Sequence, residues 1–297
     1  MFTRINGIEI FYDVAGPGQT SKRDLAPTEP TIILLHGGPG MDHMVFKPAF
    51  DRLADYVQVI YFDQRACGRS DAGPENLWRF DQWADDVAAF IIQKGLNRPI
   101  VLGTSFGGFV AQRFAARHLG LSGGLVLMST AAKPNLSMTL ESLEKKGGTS
   151  AREAAAAFFS NATAPGVADH YTETCLGYYT EGDLNTEILA NVIARPDVML
   201  HFFQRGGEFA SADFRDDLSK IIVPTLIVHG EEDPVFPIAL AHEILDCLKA
   251  PRKQAEADPP IAPPKVRLVQ IPDCGHLSEQ DAPETIMTAI IEFFNIR

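Results

Sequence analysis

The 297-residue chain is punctuated by short, unbroken apolar runs: TIILLH (31–36), VQVIYF (57–62), PIVLG (99–103), GLVLMS (124–129), PTLIVHG (224–230) and VRLVQI (266–271). Runs of this length without polar alternation are what strands look like when both faces are covered. Between them lie WADDVAAFIIQKGL (83–96), VAQRFAARHL (110–119), PIALAHEILDCL (237–248) and PETIMTAIIEFFN (283–295), whose apolar residues recur every three or four positions, as on an amphipathic helix. Strand and helix in alternation predict an α/β fold, with a mostly parallel central sheet flanked by helices on both faces. INGIEIFYDV (5–14) alternates instead, like an antiparallel edge hairpin. The rhythm lapses from about Ala131 to Asp217, where Ala, Glu and aromatics dominate and no strand-like run occurs. The expected organisation is therefore a core domain of residues 1–130 and 218–297, with residues 131–217 inserted as a helical cap. A proline-dense stretch, KAPRKQAEADPPIAPPK (249–265), reads as an exposed surface excursion.

One of the strand-to-helix joints is unusual. In VLGTSFGGF (101–109) three glycines surround one serine. The spacing Gly103-x-Ser105-x-Gly107 fits a sharp strand-to-helix turn that lifts the serine hydroxyl above the sheet, the glycines relieving clashes across the bend. The alternative is a serine that caps an ordinary parallel-sheet helix, and the rest of the chain decides between them. Two other loops follow strands at the same edge. Asp233 comes just past PTLIVHG in HGEEDPVFP (229–237), and His276 just past VRLVQI in IPDCGHLSEQDAPE (271–284). Ligands of open α/β sheets bind at the carboxyl ends of the strands, so Ser105, Asp233 and His276 are expected to converge, in the chain order Ser, Asp, His.

These three residue types make a nucleophile: imidazole takes the serine proton, and the carboxylate holds its tautomer and stabilises the imidazolium. Glu231, Glu232 and Asp217 are weaker alternatives for the acid. His36 and His229 sit at strand ends and are expected to bond locally, while His43, His118, His170, His201 and His242 lie outside a suitable loop. A tetrahedral intermediate also needs oxyanion donors. HGGPG (36–40) follows a strand opposite Ser105, so the Gly38 and Phe106 N–H groups are the candidates for the oxyanion hole.

Composition narrows the partners. With 26 Lys and Arg against 38 Asp and Glu the net charge is −12, which argues against nucleic acid or an anionic membrane as the main partner. The expected partner is a small-molecule substrate, and nothing in the pattern sets the oligomeric state. No stretch approaches the ~18 apolar residues of a membrane span, and no signal-like segment opens the sequence, so a cytoplasmic location is expected. Cys67, Cys175, Cys247 and Cys274 are scattered and read as free thiols. No cofactor or metal is called for.

Taken together, LLHGGPG, FDQRACGRSD (62–71), GTSFGG, HGEEDPVFP and CGHLSEQDAPE resemble the α/β-hydrolase superfamily, and HGGPG with DQR resembles its proline-iminopeptidase branch. The resemblance covers residues 1–130 and 218–297. It implies the α/β-hydrolase fold, a Ser105–Asp233–His276 triad, an oxyanion hole at Gly38 and Phe106, and a cap roofing the pocket. The chain departs from the branch at Ala66 and Phe106, where glycine and tryptophan are usual. Its cap also lacks the Trp-Glu element that receives a substrate amine, since Trp78 and Trp83 both precede it. Cap glutamates are present at 141, 144, 153, 173, 181, 187 and 208. The cap offers aromatics instead, at Phe158, Phe159, Tyr171, Tyr178, Tyr179, Phe202, Phe203, Phe209 and Phe214, which suit an uncharged acyl group better than a buried ammonium. The favoured expectation is an esterase, lactonase or amidase for a small, largely apolar compound. Release of N-terminal proline is the alternative, and a non-catalytic receptor on the same fold the remote one.

Overall fold

The computed structural model describes residues 1–16, 30–250 and 264–296. Strands β1 (Phe2–Ile5) and β2 (Ile8–Ala15) form the expected edge hairpin around Asn6-Gly7, whose φ values of 45° and 83° are those of a two-residue turn with both centres left-handed. Strands β3 (Thr31–Leu35), β4 (Gln58–Phe62), β5 (Ile100–Thr104), β6 (Gly124–Met128), β7 (Thr225–Gly230) and β8 (Val266–Ile271) correspond to the six apolar runs. The eight strands make one sheet in the order β1-β2-β4-β3-β5-β6-β7-β8, antiparallel at β1-β2 and β2-β4 and parallel from β4 onward. β3, β4 and β6 are buried at every residue, which is why they show no polar alternation, whereas β2, next to the edge strand β1, alternates because one of its faces is less covered.

Successive side chains feed two cores. Ile33 and Leu35 point to one face, against helices α1 (Phe80–Gln93), α2 (Phe106–Arg117) and α8 (Ala239–Lys249). Ile32 and Leu34 point to the other, against Phe46, Phe50 and helix α10 (Pro283–Phe294). Between β6 and β7 the chain runs through α3 (Leu136–Asn161), α4 (Val167–Cys175), α5 (Thr186–Asn191), α6 (Pro196–Phe203) and α7 (Arg215–Leu218), and contributes no strand. α3 breaks at Gly148, whose φ of 68° is non-helical. Leu143, Ala155, Phe158, Tyr171 and Cys175 pack into a small core of their own, but Phe202, Phe209 and Phe214 join the main core beside Phe80 and Phe109. The four cysteines are unpaired. Of the proline-dense stretch, residues 251–263 lie outside the described residues. Among the described residues no helix is long and apolar enough to cross a membrane.

Candidate active site

β5 ends at Thr104 and α2 begins at Phe106, which leaves Ser105 alone to turn the chain. Its φ of 50° and ψ of −119° lie in a region costly for any side-chain-bearing residue. Neighbours hold it there. The Ser105 N–H donates to Met128 O at 2.9 Å, and Ser105 O accepts from Gly108 N–H at 2.9 Å and from the Thr130 hydroxyl at 2.8 Å. The glycines let the helix close on the sheet: a Cβ on Gly103 would overlap Gly107 O, and one on Gly107 would overlap Leu35 O.

The sheet edge then assembles a chain of hydrogen bonds. His276 Nε2 lies 3.0 Å from Ser105 Oγ, and His276 Nδ1 lies 2.8 Å from Asp233 Oδ2. The second oxygen of Asp233 accepts the N–H groups of Val235 at 2.8 Å and Phe236 at 2.9 Å. Burial alone would push the Asp233 carboxyl up, but the imidazole of His276 beside it, with His229 and the Phe236 N–H, holds it below the usual carboxylate range. His229 is itself kept neutral by burial and sits 2.5 Å from Phe236 O, while its Nε2 is 3.4 Å from Asp233 Oδ2. An acid, a base and a hydroxyl in this order can move a proton off the hydroxyl as it attacks an electrophile. The alternative acids lie elsewhere. Asp217 pairs with Arg113 at 2.6 Å and Lys220 at 2.9 Å, Glu232 faces Lys146 at 3.7 Å, and Glu231 is exposed.

Gly38 and Phe106 both line the cavity at Ser105. Phe106 opens α2, so its N–H has no acceptor within the helix. Its ring is buried, 4.8 Å from Phe80 and 4.7 Å from Phe202. Gly37, which sequence reasoning passed over, is packed hardest on the serine: a Cβ there would come within 3.1 Å of Ser105 Cβ and 3.7 Å of its Oγ. Gly40 meets the helical segment directly. Arg195 N–H donates to Gly40 O at 2.6 Å, and a Cβ on Gly40 would overlap Arg195 O. On the other side, Leu277 N–H donates to Tyr179 O at 2.8 Å, and the ring of Tyr179 stands edge-on to His276 at 5.2 Å.

The resulting cavity holds about 560 Å³ and is walled from both sides. Gly37, Gly38, Ser105, Phe106 and His276 belong to its floor, and seven of the nine expected aromatics line it, all but Tyr178 and Phe214. None of the seven cap glutamates lines it; the one acidic residue that does, among the described residues, is Glu279. It sits three residues after His276, in the short helix α9 (Ser278–Asp281). Its place one helical turn beyond the imidazole was the signal in the sequence that could have found it.

A second His–Asp pair stands apart from the cavity. His43 Nδ1 is 2.6 Å from Asp63 Oδ1, and with Asp42 these residues offer ligand atoms within 4.8 Å of one another, as a metal site would. Their oxygens are already engaged, Asp63 by the N–H groups of His43 at 3.0 Å and Arg69 at 2.9 Å, Asp42 by those of Met44 at 3.0 Å and Ile193 at 3.2 Å.

Known proteins match along most of the chain. The alpha/beta hydrolase fold family matches residues 30–281. An AB hydrolase superfamily protein of Bacillus subtilis, YisY, is 28% identical over 280 residues, 89% of this chain and 91% of that protein. A proline iminopeptidase of Lactobacillus helveticus is 27% identical, covering 97% of this chain and 95% of its own. The solved proline iminopeptidase of Mycobacterium smegmatis superposes with a TM-score of 0.75 at 21% identity, over 99% of this chain and 97% of that one. The chain thus belongs to the alpha/beta hydrolase fold family, as an enzyme similar to the proline iminopeptidases within it.

Proposed function

We propose that the protein is a serine hydrolase that cleaves an ester, lactone or amide bond of a small, largely apolar substrate through an acyl-enzyme intermediate. The observation that carries this reading is the continuous Ser105–His276–Asp233 hydrogen-bond chain, at 3.0 and 2.8 Å, opening into an aromatic-walled cavity of about 560 Å³. Ser105 Oγ attacks the scissile carbonyl while its proton passes to His276 Nε2. The Gly38 and Phe106 N–H groups receive the oxyanion. The carbonyl re-forms, the bond to the leaving group breaks, and His276 returns the proton to the departing oxygen or nitrogen. Water then enters along the same path, giving one proton to His276 and its oxygen to the acyl carbon; collapse releases the carboxylic acid and restores the serine. Asp233 stays ionised throughout and stabilises the imidazolium, a role its lowered pKa supports. Residues 131–217 act as the cap, whose aromatics exclude water from the acyl group.

Release of N-terminal proline is the second reading, favoured by the full-length similarity to an iminopeptidase. It lacks a cap carboxylate at the cavity to take the amine. Labelling with a fluorophosphonate, followed by a screen of plain acyl and amino-acyl chromogenic substrates, tests both. Stoichiometric label on Ser105 with turnover of plain acyl esters is expected. Absence of label would leave only the receptor reading.

A further inference from the structure

Two carboxyl groups follow His276 in the same short helix, and they are treated in opposite ways. Asp281 is saturated: it accepts the Gly275 N–H at 2.7 Å, the Glu181 N–H at 3.1 Å and the Thr180 hydroxyl, and so ties the His276 loop to the cap. Glu279 is 4% exposed, yet its Oε2 has no hydrogen-bond partner among the described residues. A buried, unpaired carboxyl oxygen is costly, and a leucine would fill the same space without that cost. Glu279 also lines the cavity that Ser105 opens into, among Leu277, Val235, Phe236 and other apolar groups.

We propose that Glu279 sets the specificity of this cavity by receiving a hydrogen-bond donor, a hydroxyl or an amine, carried by the substrate close to the scissile carbonyl. The assignment rests on the hydrolase reading for the position of the carbonyl, and refines it: the substrate is apolar except for one polar hydrogen. Burial raises the Glu279 carboxyl to about 7, with Asp281 and Asp233 adding to the rise and His276 opposing it. The group therefore stands near the divide between acid and carboxylate at neutral pH. A donor brought by the substrate draws it to the ionised acceptor, and a substrate without one leaves it buried and unpaired.

The test uses phenyl esters of 3-methylbutanoic acid that carry an amino group, a hydroxyl or hydrogen at C2, which differ by little else. In the wild-type protein kcat/KM for a donor-bearing ester should exceed that for the hydrogen analogue by about 10- to 150-fold, the range for a charge-assisted bond. In Glu279→Leu the ratio should collapse to within about threefold of unity, and in Glu279→Gln, which keeps the shape and an acceptor oxygen but no charge, the amine should lose more than the hydroxyl. Should Glu279→Leu fail to fold, Glu279→Gln carries the comparison. A larger preference for the amine identifies a cation receptor and a larger one for the hydroxyl a neutral-donor site. A wild-type ratio near unity, or one unchanged by both substitutions, overturns the assignment. Binding of the intact esters to Ser105→Ala protein, read by calorimetry, separates the two claims. A Glu279-dependent preference in binding without any turnover in the wild type would sink the hydrolase reading and keep the Glu279 site; turnover without a preference would do the reverse.

Discussion

His276–Asp233 and His43–Asp63 are built alike, and comparing them shows what makes such a pair chemical. Each sets an imidazole Nδ1 against a buried aspartate, at 2.8 and 2.6 Å, and in each the aspartate's charge is supported by backbone N–H groups. Burial pushes both carboxyls up, and in both the neighbouring imidazole, a second histidine and a backbone N–H together hold the group below the usual range. The difference lies on the far side of the ring. His276 presents Nε2 to a hydroxyl in a cavity, whereas the His43 ring is stacked on Phe11 at 5.5 Å and does not line that cavity. A buried His–Asp pair is thus first a structural device, and it gains reactivity from what the free nitrogen meets.

The contrast can be broken most severely at Ser105. Ser105→Ala should lower turnover by roughly 10⁴- to 10⁶-fold and abolish phosphonate labelling. A variant that keeps near-normal turnover would return Ser105 to the role of a helix cap. Asp233→Asn should come next, with a loss in kcat of about 10⁴, since the ring then rests in the wrong tautomer. The matching substitution Asp63→Asn should instead cost about 3–5 kcal/mol in denaturant unfolding while kcat of the folded protein changes by no more than a few-fold. Equal kinetic damage from the two would erase the distinction. Because both aspartates have folded pKa values below their unfolded ones, their contribution to stability is fully present above the ordinary value of 3.8 and is lost as pH falls from there through the lower folded value. The denaturant midpoint should therefore drop from about pH 5 downward, and less steeply in Asp63→Asn. The smallest effect expected is from prolonged chelation, which should leave the rate unaltered; a loss restored by a divalent cation would make Asp42, His43 and Asp63 a ligand set.

The convergence of Ser105, Asp233 and His276 was legible because local chain geometry carries its signal. Gly103 and Gly107 announce the turn at Ser105, and Asp233 and His276 each follow a strand by a few residues, so topology alone sends them to one edge. The roof was not legible to the same degree. Its aromatics were visible, yet nothing along the sequence told Phe214, which packs in the main core, from Phe158, which faces the cavity. Helical period says that one face is apolar and is silent on which neighbour that face meets. For the same reason the cap drew attention to seven glutamates that lie away from the cavity, while Glu279 passed as part of a loop motif. Gly37 was hidden by its neighbour: both are glycines in HGGPG, and only the approach to Ser105 Cβ separates them.

The bond between Gly40 and Arg195 bears on how such proteins diversify. Arg195 backbone atoms press on Gly40 from the cap side, and Gly40 belongs to the loop that also presents Gly37 and Gly38 to Ser105. The proposed cap is therefore not a cassette exchangeable at its two covalent junctions. A chimera that takes residues 131–217 from one relative and the remainder from another inherits a third seam, at which the incoming α5–α6 connection must fit a host glycine. Recombination between relatives then needs parents matched at this seam, beside Ser105, as well as at the two covalent junctions.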